Sequence, residues 1–223
     1  MKFLVTLAAI LCFWTLSIAA QTDSQDQSIL PGQILVPGVN PPYQPIRPVQ
    51  RLTWFARSTI GVQSLGVGVM SGAYRTALNE PPEYEGTWKG FSKRYGMRLT
   101  GVATSNAMEA SLGALWDEDP RYFRTEGQPF GGRIKHVIKL TFAAYSSDGS
   151  LKPAYGRHIG NFGSSYLSNT WRTHSEASGQ DAFVRGIMGI VGRMSGNAFL
   201  EFWPDVKQRL FGRKRSQSAT PLR

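Results

Sequence analysis

Near the middle of the chain, residues 115–124 have the sequence Leu115-Trp116-Asp117-Glu118-Asp119-Pro120-Arg121-Tyr122-Phe123-Arg124. A proline has no N–H and disfavours helical backbone in the residue before it, so the preceding helix is predicted to end at Asp119-Pro120. Asp119 suits an N-cap and Pro120 suits the first helical position, which predicts a short new turn over residues 121–124. The stretch therefore predicts a junction between helices.

The acids of this junction need compensation, because carboxylates oppose the negative end of a helix dipole. Arg121 and Arg124 lie on one side of the predicted turn and are the nearest partners for Asp117 and Glu118. We interpret the junction as a clamp of caps and ion pairs formed by Asp117, Asp119, Pro120, Arg121, Tyr122 and Arg124. Carboxylates beside arginines also serve in acid–base catalysis, so an enzyme that uses Asp117, Asp119, Arg121 and His158 is the alternative.

Three motifs carry a resemblance to other proteins: Asp119-Pro120-Arg121-Tyr122-Phe123, Asn161-Phe162-Gly163 and Ser168-Asn169. With them, the chain resembles an uncharacterised family of exported bacterial proteins that have a D-P-R-Y-F core in a Gly/Ala-rich helical chain. The resemblance extends over about residues 54–211. It implies an exported helical protein and brings no activity with it.

The two ends of the chain have compositions unlike the middle. Residues 1–20 have the basic start, apolar run and small-residue cleavage site of a secretory signal, so we expect export to the periplasm or to the outer membrane. Cys12, the only cysteine, lies in this segment, which leaves the mature chain without a disulfide or thiolate site. Residues 21–50 are proline-rich and predict a linker, or alternatively a strap along the domain surface. Residues 212–223 predict a basic disordered tail.

Residues 51–211 are numerous enough for one domain with its own core. Runs without proline, separated by turn-forming breaks, predict five helical segments at 52–78, 87–116, 131–145, 155–171 and 180–211, with Pro204 kinking or breaking the last. The predicted fold class is mainly α, a compact bundle of about five helices. The alternative is an outer-membrane β-barrel, although the repeated alternating segments that a barrel requires are missing.

Small residues recur at four-residue spacing in the predicted helices. Glycine in a helix interior costs about 1 kcal/mol relative to alanine, so such positions are expected where helix backbones approach closely. The pattern is typical of membrane helices, but the charges in the second, third and fifth segments favour a compact bundle. The predicted helix-packing positions are Gly68, Gly72, Gly101, Gly156, Gly160, Gly192 and Gly196.

The sequence carries no signature of a catalytic, metal or cofactor site. His136, His158 and His174 are far apart, and no H-E-x-x-H pattern places two of them on one helix face. No G-x-S-x-G elbow occurs, and the glycines of residues 66–72 lack the spacing of a dinucleotide-binding loop. We therefore predict no catalytic residue, no metal and no cofactor.

The chain is strongly basic, with 25 Lys and Arg, 15 Asp and Glu, and a formal charge of +10. Its basic residues include residues 213–215 of the tail and, on the second segment, Lys89, Lys93, Arg94 and Arg98. Lys89, Lys93 and a position one turn further on lie along one helical stripe, which predicts a basic face. In an exported protein these features favour anionic lipid or envelope polymer over nucleic acid. The sequence thus predicts a noncatalytic, envelope-associated helical protein that binds a membrane surface or forms a homo-oligomer, with a small outer-membrane pore as the alternative.

Overall fold

A computed structural model describes residues 43–125 and 127–211, except for the side chain of Phe211. The predicted signal at 1–20, most of the predicted linker and the predicted tail lie outside these residues. The α-helices are α1 Pro48–Ile60, α2 Val62–Ala77, α3 Trp88–Leu115, α4 Phe130–Phe142, α5 Tyr155–Leu167 and α6 Gly179–Phe211, with 3-10 turns at Pro82–Tyr84, Ser168–Thr170 and His174–Glu176. The mainly α prediction is confirmed, and the strand-built alternative is not supported.

The helix boundaries differ from prediction at two glycine or proline positions. The first predicted segment is two helices, because Gly61 has extended backbone with φ −66° and ψ 156°. The N–H of Gly61 donates to the carbonyl of Arg57 and closes α1. Conversely, the predicted break at Pro204 does not occur, since α6 continues through it to Phe211.

A small antiparallel hairpin joins α4 to α5. Strands β1 Ala143–Tyr145 and β2 Leu151–Pro153 pair with Ala144 opposite Lys152. The third segment was predicted to stay helical through residue 145, but α4 ends at Phe142. The reason is tertiary: the carbonyl of Tyr145 accepts a hydrogen bond of 2.8 Å from the N–H of Asp119, which requires extended backbone beside the junction.

The apolar core is a compact aromatic cluster around Tyr43. This side chain is 1% exposed and packs with Leu140 and Tyr145. The Tyr43 ring lies 5.1 Å from that of Phe123, edge to face, and 5.2 Å from that of Tyr145. Tyr43 and the start of α1 at Pro48 fall within the predicted linker, so the packed domain begins earlier than predicted.

The helices α3 and α5 pack backbone against backbone. A Cβ added at Gly156 would lie 2.8 Å from the backbone nitrogen of Gly113, and one at Gly160 would lie 2.9 Å from that of Glu109. On α2, Gly68 and Gly72 instead face the aromatic rings of Tyr95 and Phe91. The two glycines of α5 therefore let two backbones touch, whereas those of α2 make room for side chains.

The remaining predicted helix-packing positions are Gly101, Gly192 and Gly196. A Cβ at Gly101 or Gly192 would meet nothing within 4 Å, so these two are not packing positions. All three line a cavity between the helices. The glycines of α6 that receive side chains from α5 are Gly186, which faces Phe162, and Gly189, which faces Asn161.

The interior of the domain is unusually polar. Among the described residues, the buried set holds fourteen polar or charged residues and seven apolar ones, although the usual preference is the reverse. Large apolar side chains are exposed on every helix. None of the helices in the described part has both the length and the apolar composition needed to cross a bilayer.

Candidate functional site

Asp119 anchors the junction through its neighbour Arg121. Its carboxylate is 1% exposed, accepts from the backbone N–H of Arg121 at 3.0 Å and pairs with the guanidinium Nη2 at 2.6 Å. The same Nη2 donates to the carbonyl of Gln44 at 2.6 Å. No helical turn forms over residues 121–124, so the N-cap prediction is wrong. The Asp119 carboxylate instead binds Arg121, two residues further along an extended loop. Pro120, between them, lines the cavity.

Asp117 and Glu118 bind partners other than the predicted arginines. Asp117 accepts from the hydroxyl of Ser146 at 2.7 Å and from the N–H of Ser147 at 2.9 Å. Burial opposes ionisation of Asp117, but these hydrogen bonds outweigh it and hold its pKa below the usual range. Glu118 accepts from the N–H of Gly156 at 2.9 Å, at the positive end of α5, although burial raises its pKa. The two acids thus fix the hairpin and α5 to the junction.

Tyr122 and Arg124 connect the junction to α6 through Glu201. The Tyr122 hydroxyl donates to Oε2 of Glu201 at 2.8 Å, and Nε of Arg124 donates to the Glu201 carbonyl at 3.1 Å. Thr125 Oγ1 and Arg133 Nε donate to Oε1 at 2.6 Å and 2.9 Å. Glu201 is fully buried and was not among the predicted site residues. Its sequence signal is an isolated acid between apolar neighbours, which requires a buried partner.

Asp119→Asn is expected to lower the free energy of unfolding by about 1.5–3 kcal/mol, because the amide keeps an acceptor but loses the charge that holds Arg121. Asp148→Asn is the control, since Asp148 is exposed and its hydrogen bonds are confined to its own turn. Urea unfolding followed by circular dichroism measures both variants. An equal decrease in the free energy of unfolding in both variants would show that the Asp119–Arg121 pair does not contribute specially to stability.

A cavity of about 630 Å³ lies among the six helices. Apolar side chains, among them Trp54, Val67 and Ile190, form part of its wall. Glu109 is the only acid among the described residues of the lining. The other charged groups there are six arginines: Arg57, Arg98, Arg157, Arg172, Arg185 and Arg193.

Glu109 binds two of these arginines. Its carboxylate accepts from Nε of Arg157 at 3.0 Å and also pairs with the guanidinium of Arg193. Arg157 donates further to the carbonyls of Leu140 at 2.7 Å and Ala143 at 3.0 Å. Glu109 and Arg157 are both buried, and neither was predicted as a site residue. The available signal was that Glu109 is the only acid in α3.

His158 lines the same cavity, away from the junction acids with which it was grouped as the catalytic alternative. Its ring stacks on Phe142 at 5.6 Å, and its buried Nε2 has no hydrogen-bond partner in the described part of the chain. Burial and the charge of Arg157 lower its pKa, so the imidazole is neutral at pH 7. The groups that act on the His158 ring are Phe142, Arg157, Glu109 and Arg193, and none of the junction acids is among them. The described residues contain no cluster of three metal-ligating side chains.

Comparison of the chain with family models, with curated proteins and with solved structures gave no match. The fold and its cavity therefore define the class: a mainly α domain whose helices turn charged and small residues inward and apolar residues outward. The cavity and the exposed apolar side chains are the two candidate binding surfaces of this domain.

Proposed function

We propose that this is a noncatalytic protein of the cell envelope that lies on an anionic membrane surface, with apolar side chains of three helices among the lipids. The single observation that supports this is the inverted distribution of polarity. Contiguous apolar surface is rare on a monomer surrounded by water and marks a contact with lipid or protein. Export and envelope location are part of the proposal and rest on the sequence of residues 1–20.

The apolar surface is formed by α4, α5 and α6. On α6, Val184 and Met188 are 47% and 51% exposed, while Arg185 and Arg193 line the cavity. Contacts between the rings of Phe162 and Phe183, and between Phe142 and His158, connect the three helices. We call this surface the outer apolar face, and it comprises Ile138, Phe142, Tyr155, Ile159, Tyr166, Phe183, Val184, Ile187, Met188 and Val191.

Basic and aromatic residues on this surface favour lipid over a second protein copy. Lys135 and Lys139 are exposed on α4 beside Ile138 and Phe142, the combination that interfacial helices use on anionic lipid. Tyr155 and Tyr166 are amphipathic rings of the kind enriched at the headgroup level.

The predicted basic face on α3 contributes less than expected. Lys89 and Lys93 are exposed there. Arg94 is buried instead, and it donates to the carbonyls of Glu80 at 2.8 Å and Glu85 at 2.6 Å. Two exposed lysines thus remain on α3, the same number as on α4, but those of α4 lie beside the outer apolar face.

The double variant Val184→Ser with Met188→Ser is expected to bind anionic vesicles about tenfold more weakly, because two apolar side chains no longer enter the lipid. Co-sedimentation with phosphatidylglycerol vesicles measures this, and phosphatidylcholine vesicles test the need for charge. The matched control is Val62→Ser with Val69→Ser, which changes two valines of 69% and 45% exposure on α2.

Two results would contradict the proposal. Equal loss in both double variants would mean that the outer apolar face has no special part in binding. Absence of vesicle binding, together with a dimer in sedimentation velocity that the α6 variant dissociates, would replace lipid by a second copy of the chain.

A further inference from the structure

The cavity contains more positive charge than its acids neutralise. Glu109 is shared between Arg157 and Arg193. Arg172 pairs with Glu176 at 3.0 Å, an acid outside the lining. The other three arginines of the lining, Arg57, Arg98 and Arg185, form no ion pair with a described residue.

Two of the remaining arginines are partly buried and bind neutral oxygens. Arg98 donates to the carbonyl of Ser64 at 3.2 Å, and Arg185 donates to the carbonyls of Glu176 at 2.7 Å and Ser165 at 3.0 Å. In the described part of the chain neither forms an ion pair, and the buried Nε of Arg185 has no partner. Burial lowers the pKa of both groups, because a cation is costly where water is scarce. For Arg185, the charge of Arg172 lowers the pKa further, whereas the carboxylates of Glu176 and Asp181 act in the opposite direction.

We propose that the cavity binds a phosphate-bearing amphiphile, with its phosphate held by Arg98 and Arg185 and its apolar part against Trp54, Val67 and Ile190. Guanidinium groups match phosphate oxygens in charge and in planar geometry. Ser164, Ser165 and the unpaired His158 Nε2 add polar contacts on the α5 side. This site is inside the bundle and does not depend on the membrane contact proposed for the outer apolar face.

The size of the cavity favours an amphiphile over a free ion. A volume of about 630 Å³ lies in the range of sites for organic ligands, roughly 300–1,000 Å³. Inorganic phosphate would satisfy the arginines but leave the apolar wall uncovered. A phosphate that carries acyl chains of moderate length would contact both the arginines and the apolar wall.

The test is isothermal titration of the full chain with dihexanoyl phosphatidic acid, as dissolved monomers. Arg98→Gln and Arg185→Gln are each expected to weaken binding about tenfold or more, because each removes a charged partner of the phosphate. Inorganic phosphate should bind more weakly than the amphiphile. Dihexanoyl phosphatidylcholine, whose headgroup carries a compensating positive charge, should bind more weakly as well.

Two further variants separate ligand binding from folding and from the outer surface. Arg57→Gln changes an exposed residue of the lining that forms no side-chain bond with the other described residues, so it should fold normally and still weaken binding severalfold. Arg209→Gln changes an exposed arginine of α6 outside the lining and should leave binding unchanged. The Val184→Ser, Met188→Ser protein should also bind the monomer normally, even where vesicle binding is lost.

Three results would overturn the inference. The first is no saturable binding of phosphatidic acid to the unmodified chain. The second is an unchanged affinity for phosphatidic acid in Arg57→Gln and in whichever of Arg98→Gln and Arg185→Gln folds. The third is equal affinity for inorganic phosphate and for the amphiphile, which would remove the apolar part of the ligand.

Discussion

Gly160→Leu is expected to lower the free energy of unfolding by about 3 kcal/mol or more, because no space exists for a side chain between α5 and α3. A Cβ at residue 160 would lie 2.9 Å from the nitrogen of Glu109 and 3.2 Å from the carbonyl oxygen of Ser105. These are backbone atoms, so no change of rotamer can make room, and the two helices must move apart. Their separation would also strain the 3.0 Å pair between Arg157 and Glu109.

The matched control is Gly192→Ala, in the interior of α6. A Cβ at residue 192 meets nothing within 4 Å, so alanine should stabilise the helix by up to about 1 kcal/mol through its higher helix propensity. Urea titration followed by far-UV circular dichroism compares the variants. Unfolding of Gly160→Leu at the same urea concentration as the unmodified chain would refute the close contact of α3 with α5.

Glu201→Ala is expected to cost about 3–5 kcal/mol, because it leaves the buried side of Arg133 and the hydroxyls of Tyr122 and Thr125 without their acceptor. The carboxylate is 0% exposed, whereas the side chain of Asp205, which also pairs with Arg133, is 42% exposed. Asp205→Ala is therefore the control, and its cost should stay below about 1 kcal/mol. A similar loss of stability in the two variants would show that burial does not determine how much Glu201 stabilises the fold.

The stabilisation by Glu201 should depend on pH. Burial opposes its ionisation, but hydrogen bonds from Thr125, Arg133 and Tyr122 outweigh this and place its pKa below the ordinary 4.5. Because the folded pKa is the lower one, the stabilisation is complete above the unfolded pKa and is lost as the pH falls through the folded one. The stability difference between the unmodified chain and Glu201→Gln should thus shrink below about pH 4.5. A difference that stays constant down to acid pH would contradict this account.

The helix boundaries were predicted well where the sequence contains a capping residue at the start of the helix and a proline after its end. The segment predicted at 87–116 is α3, because Thr87 caps its first turn and the acids and proline of the junction follow its last one. The predicted start at residue 155 likewise agrees with α5, which begins at Tyr155. Gly61 was not recognised as a break, since a single glycine inside an apolar run is often tolerated in a helix.

Partners distant in sequence were not predictable. The junction acids were assigned to Arg121 and Arg124 because these are nearest along the chain, yet Asp117 binds the hairpin and Glu118 binds α5. Small residues at four-residue spacing identified Gly156 and Gly160, but the same rule also selected Gly101 and Gly192, which face open space. Spacing identifies a helix face without showing what lies opposite.

The sequence by itself determined the helical class of the domain and the place where its central helix ends, because proline and capping residues act over a few residues. The tertiary structure alone decided which charges lie inside. Glu109 and Glu201 each meet their arginines across many tens of residues, and Arg98 and Arg185 converge on one cavity only after α3 and α6 have packed. The desolvation of a charge depends on every helix around it, so the sequence of one helix cannot reveal whether its arginine faces water or the interior.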